Sequence, residues 1–549
     1  MYKKLIAGVL AGSLALTLFS FKSESERYFE IAKNLDVFAT LFKEVNTYYV
    51  DEVPPSKLVR TGIDAMLKSL DPYTNYIPED DIEDFRTMTT GQYGGIGALI
   101  GSRDNKIVVQ MPYENSPAHK AGLVIGDEIT KIDGVNVSSK TTSEVSKLLK
   151  GQANSVVKLE VRSYGQSKPR TVELTRANIM VDNVPYYGMI DNEIGYFQLS
   201  GFTVDASKEV RTAVQKLKEQ GAKKIIFDLR DNPGGLLHEA VNISNLFVDK
   251  GSDIVSTKGK VKEWNKTYKA LDEPLDKEVP MVILTSSRSA SASEIVAGVM
   301  QDYDRAVLVG ERTFGKGLVQ ATRPLSYNSQ LKVTTAKYYI PSGRSIQAID
   351  YKHRNEDGSA GKIPDSLKVA HKTAGGRIVY DGGGVSPDVE VTRKAYSEIA
   401  RTIAMKGYFF EYANKYRAEN PTIPSAKQFK LTDADYQKFI AFLDNKDVNY
   451  TTKVERELEE LTEQAKDGKH LDDIKIELDA IKKKVSHNKS NDLMRFRAEI
   501  QEMLEAEIAS RYYLQKGYIE SSFDDDPDIL MAKRVLSNQQ EYASYLKVK

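Results

Sequence analysis

Between residues 184 and 393 the sequence alternates short apolar runs with amphipathic stretches, and this alternation constrains the fold more than any other feature. Strands are predicted at residues 195–199, 224–229, 281–285 and 306–309. Helices are predicted between them, at residues 206–219, 236–247 and 293–302. A strand–helix rhythm of this kind favours a parallel sheet covered by helices. We therefore expect an α/β core.

The chain of 549 residues is long enough for several domains. Residues 25–90 have a helical pattern interrupted at Pro54 and Pro55. Residues 91–180 contain short alternating strands, predicted at 107–111, 156–161 and 171–174, and one amphipathic helix at 143–149. The α/β core is assigned to residues 181–395 and a charged helical region to residues 396–549.

The charged helical region contains a heptad pattern of apolar residues. Its members are Leu471, Ile474, Leu478, Ile481 and Val485. We expect this seam to pack on neighbouring helices of the same chain. Self-association or docking of an adaptor is the alternative role for these C-terminal helices.

Composition excludes several classes of function. Lys plus Arg and Asp plus Glu each number 77, so no basic excess is present to hold nucleic acid. The chain has no cysteine, which removes disulfides, thiol nucleophiles and iron–sulfur clusters. The 6 histidines show no metal-binding spacing. We therefore expect neither a metal site nor a cofactor.

The N-terminus carries the pattern of an export signal. Two lysines, Lys3 and Lys4, precede an apolar run from Leu5 to Phe21. No small-residue cleavage site follows clearly, so residues 1–24 are either a signal peptide or an uncleaved anchor in the inner membrane. In both cases the body of the protein is expected to be exported to the periplasm.

A serine-rich turn, Ser-Ala-Ser-Ala-Ser, precedes the helix predicted to begin at Ser293. Ser291 then lies at the N-terminal end of that helix, where backbone N–H groups lack partners and the helix dipole favours negative charge. An oxyanion formed beside Ser291 would be stabilised there by the N–H of Ala292. The alternative is that these serines only cap the helix.

Lys316 lies between two glycines, Gly315 and Gly317, which permits a close approach or a sharp bend. In an extended segment Gln320 falls on the same face as Lys316 and could orient its amine. A lysine acting as a base near neutral pH must have a pKa lowered by roughly 3 units, which burial can provide. The apolar strand predicted at residues 306–309 and the neighbouring Phe314 could supply that burial. The alternative is an exposed lysine in a hairpin.

A second source of oxyanion donors is the turn after the strand at residues 224–229. Gly234 and Gly235 end this turn just before a helix, so their N–H groups are candidate donors. Asp228, Arg230 and Asn232 are expected to brace the site. A plain strand-to-helix turn is the alternative.

A Ser–His–Asp triad is disfavoured. The sequence has no G-x-S-x-G motif, and His238 falls inside a predicted helix beside Glu239. Serine with an unprotonated lysine therefore remains the preferred nucleophile and base.

The glycine-rich loop at residues 94–101 is only a weak match to a dinucleotide-binding motif. The residues that follow, SPAxxAGL at 116–123, GDEI at 126–129 and IDG at 132–134, resemble those of a PDZ domain. By this resemblance, the loop Gly95, Ile96, Gly97 and Ala98 would capture the C-terminal carboxylate of a peptide through its N–H groups.

Over residues 40–395 the chain resembles the C-terminal processing peptidases, also called tail-specific proteases. The resemblance rests on several motifs in order: LDPYT at 70–74, DLRDNPGG at 228–235, SASASEIVAG at 289–298, GERTFGKGLVQ at 310–320, YIPSGRSI at 339–346 and GVSPD at 384–388. It implies a crotonase-like (ClpP/crotonase) α/β protease core with an inserted PDZ domain. It also implies Ser291 as nucleophile, Lys316 as general base, Gln320 as orienting residue, and Ala292, Gly234 and Gly235 as the oxyanion hole.

Two regions depart from that family pattern: an expanded segment at residues 347–383 and the helices of residues 396–549. The predicted function is a serine endopeptidase that binds the C-terminal tails of exported proteins and cleaves them through an acyl-enzyme. Two alternatives remain: a non-catalytic PDZ scaffold for C-terminal tails, and an acyl-CoA enzyme of the same core fold.

Overall fold

The computed structural model describes residues 26–392, 395–485 and 489–547. These residues form two compact units, one from residues 26–76 and 322–333 and the other from the remaining described residues. No helix among the described residues is both long and apolar enough to cross a bilayer. Residues 1–24, for which a signal peptide or anchor is predicted, lie outside the described residues.

The first unit begins with two helices separated at the predicted break. Helix α1 covers residues 26–48, and helix α2 covers Pro55–Lys68. Pro55 lies in the first turn of α2, where its missing N–H costs no hydrogen bond. After α2 the chain turns at Asp71, whose carboxylate accepts two backbone N–H hydrogen bonds from the next residues. The predicted helical character of this region is confirmed.

The second unit begins with helix α3 (Ile82–Thr90), after the short strand β1 (Asn75–Ile77), and continues as a β-rich domain. The elements of that domain are β2 (Gln92–Gly95), β3 (Ala98–Arg103), β4 (Lys106–Pro112), α4 (Pro117–Lys120), β5 (Glu128–Ile132), β6 (Val135–Asn136), α5 (Thr142–Leu149), β7 (Val156–Arg162), β8 (Arg170–Thr175) and β9 (Ala177–Met180). The predicted strands and helix of this segment are confirmed to within one residue at each end. The antiparallel order β3-β4-β5-β7-β8 leaves β3 at one edge among the described strands.

The core follows with strands and helices in alternation. Its elements are β10 (Tyr186–Met189), β11 (Ile194–Gln198), α6 (Ala206–Glu219), β12 (Lys224–Asp228), α7 (Leu237–Asn245), β13 (Asp253–Gly259), β14 (Lys266–Lys269), β15 (Met281–Thr285), α8 (Ala292–Asp302), β16 (Val307–Gly310), β17 (Leu318–Pro324), β18 (Gln330–Tyr339), β19 (Ile349–Arg354), β20 (Ala360–Lys362), β21 (Ala370–Lys372), β22 (Ile378–Tyr380) and β23 (Val389–Glu390). The main sheet has the order β10-β11-β12-β15-β16-β23. All its neighbours pair in parallel except β10 and β11. The predicted parallel α/β core is confirmed.

The expanded segment at residues 347–383 forms two antiparallel hairpins, β19 with β20 and β21 with β22. Arg377 anchors the second hairpin to the core through ion pairs with Asp304 at 2.5 Å and Asp388 at 2.6 Å. Because Arg377 and both carboxylates are largely buried, this anchor fixes the segment more firmly than a surface pair would.

The C-terminal region is helical, as predicted. Its helices are α9 (Glu398–Met405), α10 (Tyr408–Glu419), α11 (Asp433–Leu443), α12 (Lys453–Asp467), α13 (Leu471–Val485), α14 (Lys489–Arg495), α15 (Arg497–Ser521), α16 (Pro527–Ser537) and α17 (Gln539–Tyr545). Helix α13 carries the heptad pattern and packs on α12, with Leu478 buried between them. Ile481 of the same seam is 45% exposed, so contacts among the described residues cover only part of the seam.

The two faces of the main sheet are covered by different parts of the chain. Helices α6, α7 and α8 bury one face, where the rings of Phe197 and Phe227 stack with centres 4.4 Å apart. Helix α16 buries the other face, with Ile529 and Val535 packed against apolar side chains that point from the strands. The C-terminal region is thus part of the core's packing, although its sequence lies outside the shared motifs.

Candidate functional site

The serine-rich turn lies at the N-terminal end of α8. This helix begins at Ala292, one residue earlier than predicted. Ser291 has φ of 57° and ψ of −113°, an uncommon backbone conformation for a residue other than glycine. The flanking serines hold the turn in place: Ser289 Oγ donates to the Leu229 carbonyl at 2.7 Å, and Ser293 Oγ to the Asn232 carbonyl at 2.9 Å. The middle serine is therefore presented by a turn that both of its neighbours pin down.

Two backbone N–H groups beside Ser291 are available as donors. Neither the N–H of Ala292 nor that of Gly235 makes a hydrogen bond among the described residues. The N–H of Gly234, in contrast, donates to Asn232 Oδ1 at 2.8 Å. Position 234 requires glycine for lack of space, because a Cβ there would lie 2.8 Å from the Ala292 nitrogen and 2.9 Å from Ser291 Cβ. Of the two glycines, Gly235 thus offers the free donor and Gly234 permits the close approach.

Glu294 joins the serine turn to the lysine loop. Its Oε2 accepts hydrogen bonds from the N–H groups of Ser291 and Lys316, both at 2.8 Å. Its Oε1 accepts the N–H of Gly315 at 2.7 Å and the hydroxyl of Thr313. The side chain is fully buried at 0% exposure, so this carboxylate is a fixed internal link between the two loops.

The charge state of Glu294 reflects two opposing effects. Burial raises the pKa of the Glu294 carboxyl, and the hydrogen bonds from Thr313, Lys316, Ser291 and Gly315 limit that rise. Three of these four donors are backbone N–H groups, which can only donate. The two carboxyl oxygens of Glu294 therefore supply the acceptors that these three backbone N–H groups need.

The surroundings of Lys316 differ in part from the expectation. Lys316 precedes strand β17, and its side chain is partly exposed. Phe314, expected to help bury the amine, is itself 47% exposed. Gln320 lies within β17, and its Nε2 donates to Thr334 Oγ1 at 3.2 Å. The backbone of the lysine loop is firmly bonded, whereas burial of the amine by Phe314 stays a prediction, since about half of that residue is exposed.

The residues expected to brace the site do make bracing contacts. Asn232 is fully buried and donates through Nδ2 to the Leu199 carbonyl at 2.7 Å. Arg230 pairs with Asp228 at 2.6 Å, and it also reaches Asp526 at 2.7 Å and Asp528 at 3.0 Å. These two aspartates begin helix α16. The turn that carries Gly234 and Gly235 is therefore tied to the C-terminal helices.

His238 takes no part in this arrangement. It lies in α7 with its side chain 61% exposed, and its Nε2 is 3.6 Å from Glu239. A role for His238 as the partner of a catalytic serine remains disfavoured.

The glycine-rich loop of the β-rich domain has two free donors. The N–H groups of Ile96 and Gly97 make no hydrogen bond among the described residues. Gly97 has φ of 75°, and a Cβ there would lie 2.4 Å from Ser116 Cβ. Ala98 opens the edge strand β3, which follows this loop directly, and Gly95 closes β2 before it. The loop can accept a carboxylate while β3 pairs with an incoming strand.

The sequence analysis missed two contributors to the site. Glu294 stands three residues after Ser291, and Ser-x-x-Glu at a helix start is the pattern of a capping box, which could have drawn attention to it. Asp526 lies 296 residues from Arg230. No local pattern links residues so far apart.

Family models match three parts of the chain. Residues 193–353 match the model of peptidase family S41, residues 108–163 that of the PDZ domain, and residues 399–536 that of the probable PDZ-protease, C-terminal helical domain.

Individual relatives agree with these matches. A carboxy-terminal-processing protease of Bartonella bacilliformis is 38% identical over 349 residues, which are 63% of this chain and 79% of the relative. A probable CtpA-like serine protease of Staphylococcus aureus is 38% identical over 316 residues, 57% of this chain and 62% of the relative. Among solved structures, a photosystem II D1 C-terminal processing protease is 29% identical and covers 64% of this chain and 92% of its own, with a TM-score of 0.35.

Proposed function

On the premise that this chain belongs to the carboxy-terminal-processing proteases of peptidase family S41, and is a serine peptidase with a PDZ domain, we propose that Ser291 and Lys316 are its catalytic dyad. The observation that carries this proposal is the shared carboxylate oxygen of Glu294, which accepts the N–H groups of both residues at 2.8 Å. A link of this kind holds a nucleophile and a base close together before substrate arrives.

In the proposed reaction, the neutral amine of Lys316 removes the proton of the Ser291 hydroxyl as Oγ attacks the carbonyl carbon of the scissile peptide bond. The N–H groups of Ala292 and Gly235 donate to the oxyanion of the tetrahedral intermediate. The lysine then gives the proton to the departing amine, which leaves an ester on Ser291. A water molecule, deprotonated by Lys316, hydrolyses that ester and releases the second product.

Gln320 is assigned the role of orienting the lysine. Its side chain is fixed at one end, since Nε2 donates to Thr334 Oγ1, and it lies in the strand that follows the lysine loop. Replacing Gln320 with Ala should therefore lower kcat more than it changes KM.

The substrates are proposed to be exported proteins whose C-terminal tails dock on the PDZ domain. The free N–H groups of Ile96 and Gly97 suit a terminal carboxylate, and the unpaired edge of β3 suits an extended tail. Apolar side chains border this groove, among them Ala98 and Ile100 of β3 and Leu148 of α5. Tails with apolar ends are therefore expected to bind best.

Two further assignments belong to this proposal. The core is taken to be crotonase-like, in keeping with its parallel strands β11, β12, β15 and β16 and their covering helices. The protein is taken to be exported to the periplasm by residues 1–24. Cell fractionation and N-terminal sequencing of the mature protein test the export route, and recovery in the cytoplasm would contradict it.

The deciding experiment compares wild type with Ser291→Ala and Lys316→Ala on a loosely folded test protein that bears an apolar C-terminal tail. Wild type should cleave it, and both variants should bind the tail without cleaving. Full activity in either variant would contradict the dyad. Tail binding by wild type without cleavage would instead revive the non-catalytic scaffold for this protein.

A further inference from the structure

Tyr338 makes a contact that the proposed mechanism does not use. Its hydroxyl lies 2.8 Å from the carbonyl oxygen of Lys316 and 3.1 Å from the carbonyl oxygen of Ser291. The residue is the last but one of strand β18 and is only 1% exposed. We propose that Tyr338 is a positioning residue that sets the separation of Ser291 and Lys316; this inference rests on the proposed dyad.

The contact complements the one made by Glu294. Glu294 Oε2 accepts the N–H groups of Ser291 and Lys316, and the phenol of Tyr338 faces the carbonyl groups of the same two residues. Both polar backbone groups of the nucleophile and both of the base are therefore bridged in pairs. One bridge is an acceptor shared by two donors, and the other is a hydroxyl donor shared by two acceptors.

The backbone groups on both sides of Lys316 are also held by hydrogen bonds. The N–H of Gly317 donates to Gln347 Oε1 at 2.8 Å, and the carbonyl of Gly317 accepts the N–H of Tyr338 at 3.0 Å. The carbonyl of Gly315 accepts the N–H of Ala348 at 2.9 Å. The loop is thus fixed on both sides of Lys316, so a change in its position requires one of these contacts to break.

The phenol is suited to this role because it remains a donor. Burial, with the charge of Glu294, raises the pKa of Tyr338 well above its ordinary value, so the hydroxyl keeps its proton throughout the neutral range. Without that hydroxyl, the carbonyl of Lys316 would lose the donor that it now shares with the serine turn. The carbonyl of Ser291 would keep the helix N–H groups of Glu294 at 2.9 Å and Ile295 at 3.0 Å. The unsatisfied Lys316 carbonyl would then favour moving the lysine loop away from the serine turn.

The variant Tyr338→Phe removes the hydroxyl and keeps the ring. The matched control is Tyr436→Phe, because Tyr436 is also fully buried and donates to a backbone carbonyl, that of Leu493, at 2.7 Å. It lies in the C-terminal helical cluster, away from the dyad. A second control, Tyr339→Phe, alters the next residue of the strand.

Four quantities are measured for each variant: the free energy of unfolding, kcat, KM for the tailed substrate, and the rate at which a fluorophosphonate labels Ser291. Tyr338→Phe should lower kcat and the labelling rate about 10- to 100-fold, because small misplacements of reacting groups have effects of this size, and leave KM unchanged. Tyr436→Phe should lose stability to a similar extent and keep its kcat.

Two results would overturn the inference: a kcat for Tyr338→Phe within about twofold of wild type, or an equal loss of kcat in Tyr436→Phe. If Tyr338→Phe is partly unfolded, labelling is repeated at low temperature and expressed per folded molecule, with the folded fraction taken from circular dichroism. Failure of the proposed dyad is recognised separately, since wild type would then be no more active than Ser291→Ala.

Discussion

The lysine loop and the PDZ carboxylate loop use backbone N–H groups in opposite ways. Around Lys316 the N–H groups of residues 315–317 are all bonded to buried side chains. In the PDZ loop the N–H groups of Ile96 and Gly97 have no partner among the described residues. A site that performs chemistry gains from groups fixed in advance, whereas a site that captures a ligand needs donors that are still free.

The candidate active site and the PDZ carboxylate loop also need glycine for different reasons. Gly234 is needed because a Cβ would collide with the Ala292 nitrogen, so it lets two backbone segments of the catalytic site approach each other. Gly97 holds the PDZ loop in a left-handed conformation at φ of 75°, which residues with a Cβ rarely adopt. The four predictions that follow test this contrast.

The largest effect is expected from Glu294→Gln, which removes the carboxylate that links the serine turn to the lysine loop. The amide nitrogen of glutamine must replace one of the two carboxylate oxygens, so the backbone N–H groups that donate to that oxygen lose their acceptor. The free energy of unfolding should fall by about 2–5 kcal/mol, and kcat/KM by more than about 100-fold. Chemical denaturation and the cleavage assay measure the two quantities.

The control for that variant is Glu505→Gln in the C-terminal helices. Glu505 is also buried and accepts a backbone N–H, that of Leu431, at 2.8 Å. It should lose stability and keep its activity per folded molecule. An active Glu294→Gln would show that the link between the loops is dispensable.

The next largest effect is expected from Gly97→Ala, which disturbs the PDZ carboxylate loop. The new methyl group would lie 2.4 Å from Ser116 Cβ, so the loop must move. KM for a tailed substrate should rise at least about tenfold, since a hydrogen bond to a charged group contributes about 1.5–3 kcal/mol, while kcat should change little. Gly134→Ala is the control: its φ is 80°, but nothing lies within 4 Å of the added methyl. Equal effects of the two variants would attribute the result to backbone strain alone.

Amidation of the substrate tail removes the ligand charge and leaves the enzyme intact. Affinity for wild type should fall about tenfold, because the donors of Ile96 and Gly97 then meet a neutral group. Isothermal titration with Ser291→Ala avoids cleavage during the measurement. In Gly97→Ala the same amidation should have little further effect, and unchanged affinity in wild type would mean that the carboxylate is not bound by this loop.

The smallest effect is expected from Asp526→Asn, because Asp526 is only one of three carboxylate partners of Arg230. Arg230 keeps Asp228 and Asp528 as partners, and asparagine still caps α16. The free energy of unfolding should fall by about 1 kcal/mol, with activity within about threefold of wild type. Asp524→Asn, whose carboxylate is 67% exposed, should change neither. A loss of activity beyond tenfold in Asp526→Asn would show that the C-terminal helices control the turn at Gly235.

Local sequence patterns predicted much of this protein. The strands and helices of the core and of the PDZ domain follow from apolar periodicity, which depends on side chains near in sequence. Ser291 and Lys316 could be singled out because a helix start and a pair of glycines are visible locally. The capping pattern of Ser291 and Glu294 was equally local, but it does not show that the carboxylate also binds the lysine loop.

Other features were decided only by tertiary structure, because they join residues far apart in the chain. The bridge from Tyr338 spans 47 residues to Ser291, and the ion pair from Arg230 spans 296 residues to Asp526. The choice of Gly235 over Gly234 as the free donor depends on where the Asn232 side chain turns. The burial of the second face of the sheet by α16 depends on a helix whose own sequence does not specify its partner. Sequence thus determined which residues are proposed to carry the chemistry, and packing determined how they are held.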